Sequence, residues 1–333
     1  MKTVRMKDVA DACGVSVATV SRALNGLADE NGKLTALICR KAQEMGYVQN
    51  AAALTLKTNR ANCIGILYED RMNHEYFSSL LDDIRRESNA RGYDLMLIGS
   101  SEETERNYYE HVRKRNLDGV IVIQADFESS EVIRLASSPM PSVIIDHMYE
   151  GCDCVCSDNR NGIASIVRFV YEKGHRRIGF ITGEKGTVSN ERLAGFYKAC
   201  AELGIRVPEG FVRETHFHHP EEGVRIIRDM MNREEGASCI LCPDDFSCIG
   251  AIWELQKQGI SVPEKVSLVG YDGIRGRMMP FELTTYRQNT EGIARETVKL
   301  LLEAIEEPEN HKPRQITVEG ELVRGETVSE LSR

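Results

Sequence analysis

Few residues in this chain have the types and spacing that chemistry requires. His216 to His219 form an HFHH run containing His-x-His, and Cys239 with Cys242 has CxxC spacing; either could suggest a metal. Cys152, Cys154 and Cys156 alternate, so on a strand they share one face. No second CxxC accompanies the first, and the Cys239 pair sits in the strand-like run SCILCP, where thiols act as small hydrophobes. No metal is expected. GxSxG, Walker-type GxxxxGK and HExxH are also missing, so no catalytic residue and no cofactor is assigned, and an enzyme is not expected.

The informative side chains stand near the start, in MKDVADACGVSVATVSRAL. Val9 and Ala10 give a short helix one apolar face, Gly14 supplies a residue that turns with positive φ, Val15 fills the corner, and Ser16 can cap a second helix. That second helix should bury Val20 and Leu24, leaving Val17, Ala18, Ser21 and Arg22 for outside contacts. A third helix is expected from about Leu34 to Met45, closed by Gly46. Two helices crossing over so short a turn make a helix-turn-helix. Charge supports this reading. The first 60 residues hold nine Lys/Arg against five acids, a net +4 that leaves −13 on the remainder of a chain of −9.

KDVADACGVSVATVSRALNG, followed by MGYVQN and an Ala/Leu-rich segment, resembles the headpiece of the LacI/GalR family of transcription regulators. The resemblance implies that Ser16, Val17, Ala18, Thr19, Ser21 and Arg22 reach the major groove or its rim. Arg22 can make paired hydrogen bonds to guanine, Val17 and Ala18 offer apolar contact, and the hydroxyls suit phosphates. Asn25 contacts the DNA backbone or caps its helix. In AAALTLKTNR the family's hinge helix is implied, with Leu56 as the minor-groove wedge; Gln49 and Leu54 depart from the family's usual proline and arginine.

From Asn62 onward the pattern alternates strands (CIGILY, DLMLIG, GVIVI, SVIID) with amphipathic helices, and then repeats (RRIGFITG, CILC, VSLVGYD). Two successive α/β units of doubly wound parallel sheets follow, with strand C-termini facing a shared cleft. LDGVIV, SDNRNG, KGHRRIGFITG, RLAGF, PDDFSCIGA and VPEKVSLVGYD, in that order, resemble the family's periplasmic-binding-protein-like core.

The expected domains are a headpiece at 1–49, a hinge at 50–61, a first lobe of 62–157 and 286–313, and a second lobe of 158–285 and 314–333. The positions aligned with the family's ligand contacts are Tyr76, Phe77, Asn161, Arg192, Phe217, Asp244 and Asp272, a mixture suited to sugar hydroxyls and ring faces. Phe77 could instead be core, and Arg192 could pair with Asp272. The implied function is a homodimeric cytoplasmic repressor that binds a pseudo-palindromic DNA operator under control of a sugar or sugar phosphate. A purine or phosphorylated-protein corepressor, or a solute-binding protein without DNA function, are the alternatives. No run of about 18 apolar residues is present to span a membrane.

Overall fold

The computed structural model describes residues 4–24, 32–48, 55, 60–69, 75–99, 107–274 and 280–331, in two units divided between Ala61 and Asn62. In the first unit, α1 (Met6–Cys13), α2 (Val17–Leu24) and α3 (Lys33–Glu44) close on a small core of Val9, Ala10, Val20, Ala23, Ile38 and Ala42. The backbone N–H of Arg5 starts α1 by donating to Asp8 Oδ2 at 2.7 Å. Gly14 ends it at φ 65°, a value other side chains adopt at a cost, and Val15 N–H bonds back to Ala10 O at 3.0 Å. Ser16 Oγ accepts the N–H of Thr19 at 3.1 Å and so caps α2. One expectation needs correction: Ala23 is buried beside Val20, whereas Leu24 is half-buried at the edge of the core. A small residue at that place lets the helices approach closely.

The second unit contains two six-stranded sheets. The first is built from β1 (Cys63–Tyr68), β2 (Asp94–Gly99), β3 (Gly119–Val122), β4 (Ser142–Ile145) and β5 (Asp153–Ser157). Between these strands run α4 (Glu75–Asn89), α5 (Tyr108–Lys114) and α6 (Ser130–Ala136). The chain then makes α7 (Asn159–Glu172), β6 (Ile178–Thr182), α8 (Thr187–Glu202), β7 (Val212–Glu214), α9 (Pro220–Met231), β8 (Cys239–Leu241), α10 (Asp245–Lys257), β9 (Ser267–Asp272) and β10 (Thr285–Arg287). It returns through α11 (Thr290–Glu306) to β11 (Gln315–Val318) and β12 (Glu321–Val323).

Strand orders are β11-β5-β4-β3-β1-β2 and β12-β10-β9-β8-β6-β7. Every pairing is parallel except β10 with β12. Strands such as CIGILY and GVIV are apolar throughout because helices cover both faces of each sheet. In the first lobe Leu80, Ile84, Val298 and Leu301 pack on one face and Val112, Val132 and Leu135 on the other. The second lobe repeats this with Ile166, Val170 and Phe196 opposite Val224, Ile227 and Leu255.

The chain passes between lobes three times. The first passage follows β5 at Ser157. The other two fall later than the expected boundaries at 286 and 314, for β10 still belongs to the second sheet and β11 pairs with β5 in the first. Residues 315–318 therefore belong to the first lobe, because the free edge of β5 is satisfied only by this distant segment. Among the described residues no helix is long and apolar enough to cross a membrane.

Candidate functional site

In the helical unit, α2 turns Val20 and Ala23 inward and presents an opposite face. Ser16, Val17, Ala18 and Arg22 are exposed on or beside it, and Thr19 and Ser21 are half-exposed. Ser16 and Thr19 hydroxyls lie 2.8 Å apart, so the start of the helix is a fixed polar corner beside an apolar pair and one guanidinium. That is the composition a groove-reading helix needs: donors for phosphates, small apolar surface for base edges and one forked donor. Asn25, Gln49, Leu54 and Leu56 lie outside the described residues.

The second site forms where strand C-termini of the two lobes converge. Arg192, in the first turns of α8, is only 5% exposed. Its Nε donates to Asn159 Oδ1 at 2.8 Å and its Nη1 to Pro243 O at 2.8 Å. The guanidinium stacks 3.6 Å from the centre of the Tyr271 ring and 5.8 Å from that of Phe217. Asp272 ends β9 with φ 115°, and its Oδ1 accepts from Gln288 Nε2 at 2.7 Å. Across from it, Tyr76 Oη donates to Asp146 Oδ2 at 3.4 Å, and Asp146 Oδ1 accepts the Ser157 N–H at 3.3 Å.

Burial pushes the Asp272 carboxyl up to about 7; Arg192 opposes this and Asp244 adds to it. Burial likewise raises Asp146 and lifts the Tyr76 hydroxyl well above its ordinary value. The cleft thus holds one carboxyl, Asp272, that exchanges its proton near neutrality, and a second, Asp146, raised in the same sense by burial. Among the described residues, Tyr271 Oη and Gln288 Oε1 are buried there without a hydrogen-bond partner. A cavity of about 370 Å³ opens between α4 and the segments 272–274 and 287–291, lined by Tyr76, Asp83, Asp272 and Gln288 among others. It adjoins the Arg192 cluster through Tyr76, Asp272 and Gln288; Arg192, Phe217, Tyr271 and Asp146 do not line it.

The structure redistributes several of the residues named from the sequence. Tyr76, Arg192, Phe217 and Asp272 come together with the unforeseen Asp146, Asn159, Tyr271 and Gln288. Phe77 does not join them; it is 1% exposed in the first-lobe core, with its ring 5.7 Å from Tyr68. Adjacent helical residues cannot share a face. Asn161 is exposed and its amide donates to Asp158 Oδ2 at 2.8 Å, so the amide beside Arg192 is that of Asn159. Asp244 caps α10, accepting from Ser247 N at 2.7 Å, Ser247 Oγ at 2.8 Å and His218 N at 2.9 Å. Its carboxylate is committed to holding the loop that carries Phe217. Arg192 bonds Asn159 and Pro243 rather than Asp272.

The other groups with chemical potential are absorbed locally. His216 and His219 are exposed and pair with Glu222 and Glu221, and the Cys239 thiol is buried in β8, which raises it. Among the described residues no three His, Cys, Asp or Glu side chains are grouped to hold a metal.

Comparison with known proteins finds a family match in each unit. Residues 5–50 match bacterial regulatory proteins of the lacI family, and residues 167–328 match the periplasmic binding protein-like domain. The chain is 29% identical over 309 residues to the HTH-type transcriptional repressor PurR of Pasteurella multocida (strain Pm70), covering 91% of this chain and 92% of that one. Among solved structures, the transcriptional regulator CelR–cellobiose complex superposes with a TM-score of 0.73 at 24% identity, covering 97% of this chain and 99% of that one. The lac repressor dimer bound to operator and the anti-inducer ONPF gives 0.82 at 20% identity, over 98% and 100%.

Proposed function

The chain belongs to the lacI family of bacterial regulatory proteins, DNA-binding transcriptional regulators with an effector domain rather than enzymes, and from that premise we propose that it is a cytoplasmic homodimeric repressor controlled by a sugar. The observation that carries the sugar reading is the grouping of Arg192, Asp146 and Asp272 with the half-buried ring of Phe217. Carboxyls and a guanidinium bond vicinal hydroxyls, and a flat ring covers the C–H face of a pyranose. Two neighbouring carboxyls disfavour a phosphate, so a neutral sugar is favoured over a sugar phosphate.

Pairing of two copies is supported by apolar residues left exposed on the effector unit. Phe246 and Trp253 are 44% and 48% exposed on one face of α10, and Leu97 is 47% exposed on the edge strand β2. A two-fold pair would carry two copies of α2 to a pseudo-palindromic operator. The sugar acts by binding one arrangement of the lobes better than another, which shifts the population that grips DNA.

A thermal-shift screen tests the reading. A cognate sugar at 100 times its Kd adds about 2.7 kcal/mol to the stability of the effector unit. Cellobiose and ribose serve as first probes with hypoxanthine as the contrast. Stabilisation by hypoxanthine and by none of the neutral sugars would replace this reading with a purine one.

A further inference from the structure

Asp245 stands beside the capping residue Asp244 and is fully buried. Its carboxylate is turned from solvent into the turn that follows β9, within electrostatic reach of Asp272. Oδ2 accepts two successive backbone N–H groups, Gly273 at 2.8 Å and Ile274 at 2.7 Å, and Oδ1 accepts Thr285 Oγ1 at 2.6 Å. Strand β9 leaves room for it with Gly270, where a Cβ would stand 2.0 Å from Asp245 Oδ1. The turn gripped in this way begins at Asp272, whose φ of 115° lies where residues with side chains are rarely found. Such a conformation persists only when the surroundings impose it. Gln288 holds the carboxylate of Asp272 through its side chain and the Asp272 carbonyl through its own N–H at 3.2 Å, whereas the N–H groups of the two residues that follow Asp272 are held by Asp245.

We propose that Asp245 is the positioning residue of the effector site: by holding Gly273 and Ile274 from below, it imposes the backbone conformation that aims Asp272 into the cleft. This inference rests on the reading of the cleft as an effector site. It also makes α10 a mechanical partner of the cleft. Asp244 holds the loop bearing Phe217 and Asp245 holds the turn bearing Asp272, so two walls of the site hang from one helix end. The competing account is that Asp245 only anchors β10 through Thr285.

Three variants separate the two accounts. Asp245→Ala removes every bond. Asp245→Asn retains them in kind, since its carbonyl oxygen can accept both N–H groups while its amide donates to Thr285 Oγ1. Thr285→Ala deletes only the β10 anchor. The readout is the titration of Asp272, followed by carboxyl 13C NMR in full-length protein labelled at aspartate, with no sugar added. Asp272 titrates near 7 in the parent, falls by at least one pH unit more in Asp245→Ala, as the carboxyl swings to water, than in Asp245→Asn, which loses the same neighbouring carboxyl, and stays within half a unit of the parent in Thr285→Ala; equal falls in the two Asp245 variants overturn the proposal. Should Asp245→Ala fail to fold, Asp245→Ser, too short to reach the turn, takes its place with the same expectation. An unmoved titration in the short-chain variant, or an equal fall in Thr285→Ala, overturns the proposal. Melting with cellobiose and ribose adds the second arm. A shifted Asp272 titration in a protein whose parent is stabilised by no sugar in the screen would refute the effector reading while upholding the role of Asp245.

Discussion

Replacing Arg192 by alanine should destabilise the effector unit as well as blunt its ligand response. The guanidinium donates to Asn159 Oδ1 and Pro243 O, both at 2.8 Å, and lies 3.6 Å from the Tyr271 ring centre at 5% exposure. Two acceptors left unpaired by truncation cost about 1–2 kcal/mol each, and the lost stacking adds about 1 kcal/mol. Water entering the vacated space recovers part of this, which leaves a net loss of about 3 kcal/mol. For a unit of this size the loss corresponds to a fall in Tm of roughly 6–12 °C. Differential scanning calorimetry of the sugar-free protein measures it directly. Arg192→Lys keeps the charge but cannot fork to two acceptors, so it should fall between the parent and the alanine variant. A Tm within 2 °C of the parent in Arg192→Ala would refute the structural role and leave Arg192 as a ligand contact alone.

Three further outcomes are expected. Asp272 takes up its proton near pH 7 in the folded chain but near 3.8 when unfolded, so its contribution to stability is complete below 3.8 and is lost as pH rises through 7. Asp272→Asn should therefore flatten the decline of Tm between pH 4 and 7; Asp146 and Asp245, raised in the same sense, retain the rest, and an unchanged slope would contradict the assignment. Arg22→Ala should cost about 1–3 kcal/mol of specific operator affinity and leave binding to scrambled DNA nearly intact, so equal losses on both DNAs in fluorescence anisotropy would argue against base reading. Trp253→Glu, placing a charge on the exposed face of α10, should shift the protein toward monomer in light scattering, and an unaltered mass would remove that face from the interface.

What the sequence disclosed and what it concealed follow from the range of the interactions involved. Gly14 and Ser16 were legible because a turn and a cap are settled within four residues. The runs that became β1, β3 and β4 were legible because burial on both faces demands continuous apolar residues. The strands β10, β11 and β12 carry three or four residues each, and their place depends on partners far along the chain, as when Gln315–Val318 pairs with Cys154–Ser157. No local pattern announces such a pairing. In the cleft, Arg192 and Asp272 could be named from their motifs, but choosing Asn159 over Asn161 required knowing that Asp158 caps α7 and so fixes the phase of the helix. Asp244 is similar, because its chemistry alone cannot tell a cap from a ligand contact. Gln288 carries no signal at all, being placed by a lobe passage that sequence reading set too early.

The closing strands bear on how the protein is made. Residues 315–318 complete the edge of the first sheet and residues 321–323 that of the second, so a single stretch of nine residues finishes both lobes. During synthesis the first lobe's five leading strands emerge early but keep β5 uncovered while more than 150 further residues are added. At the ribosome's pace of roughly 5–20 residues per second, that bare edge persists for on the order of ten seconds or more. The helical head has long since left the tunnel by then. A nascent chain would therefore carry a finished DNA-reading unit ahead of a sensor that acquires both its lobes almost at once, and a chain cut short before Gln315 would leave a head attached to two incomplete sheets.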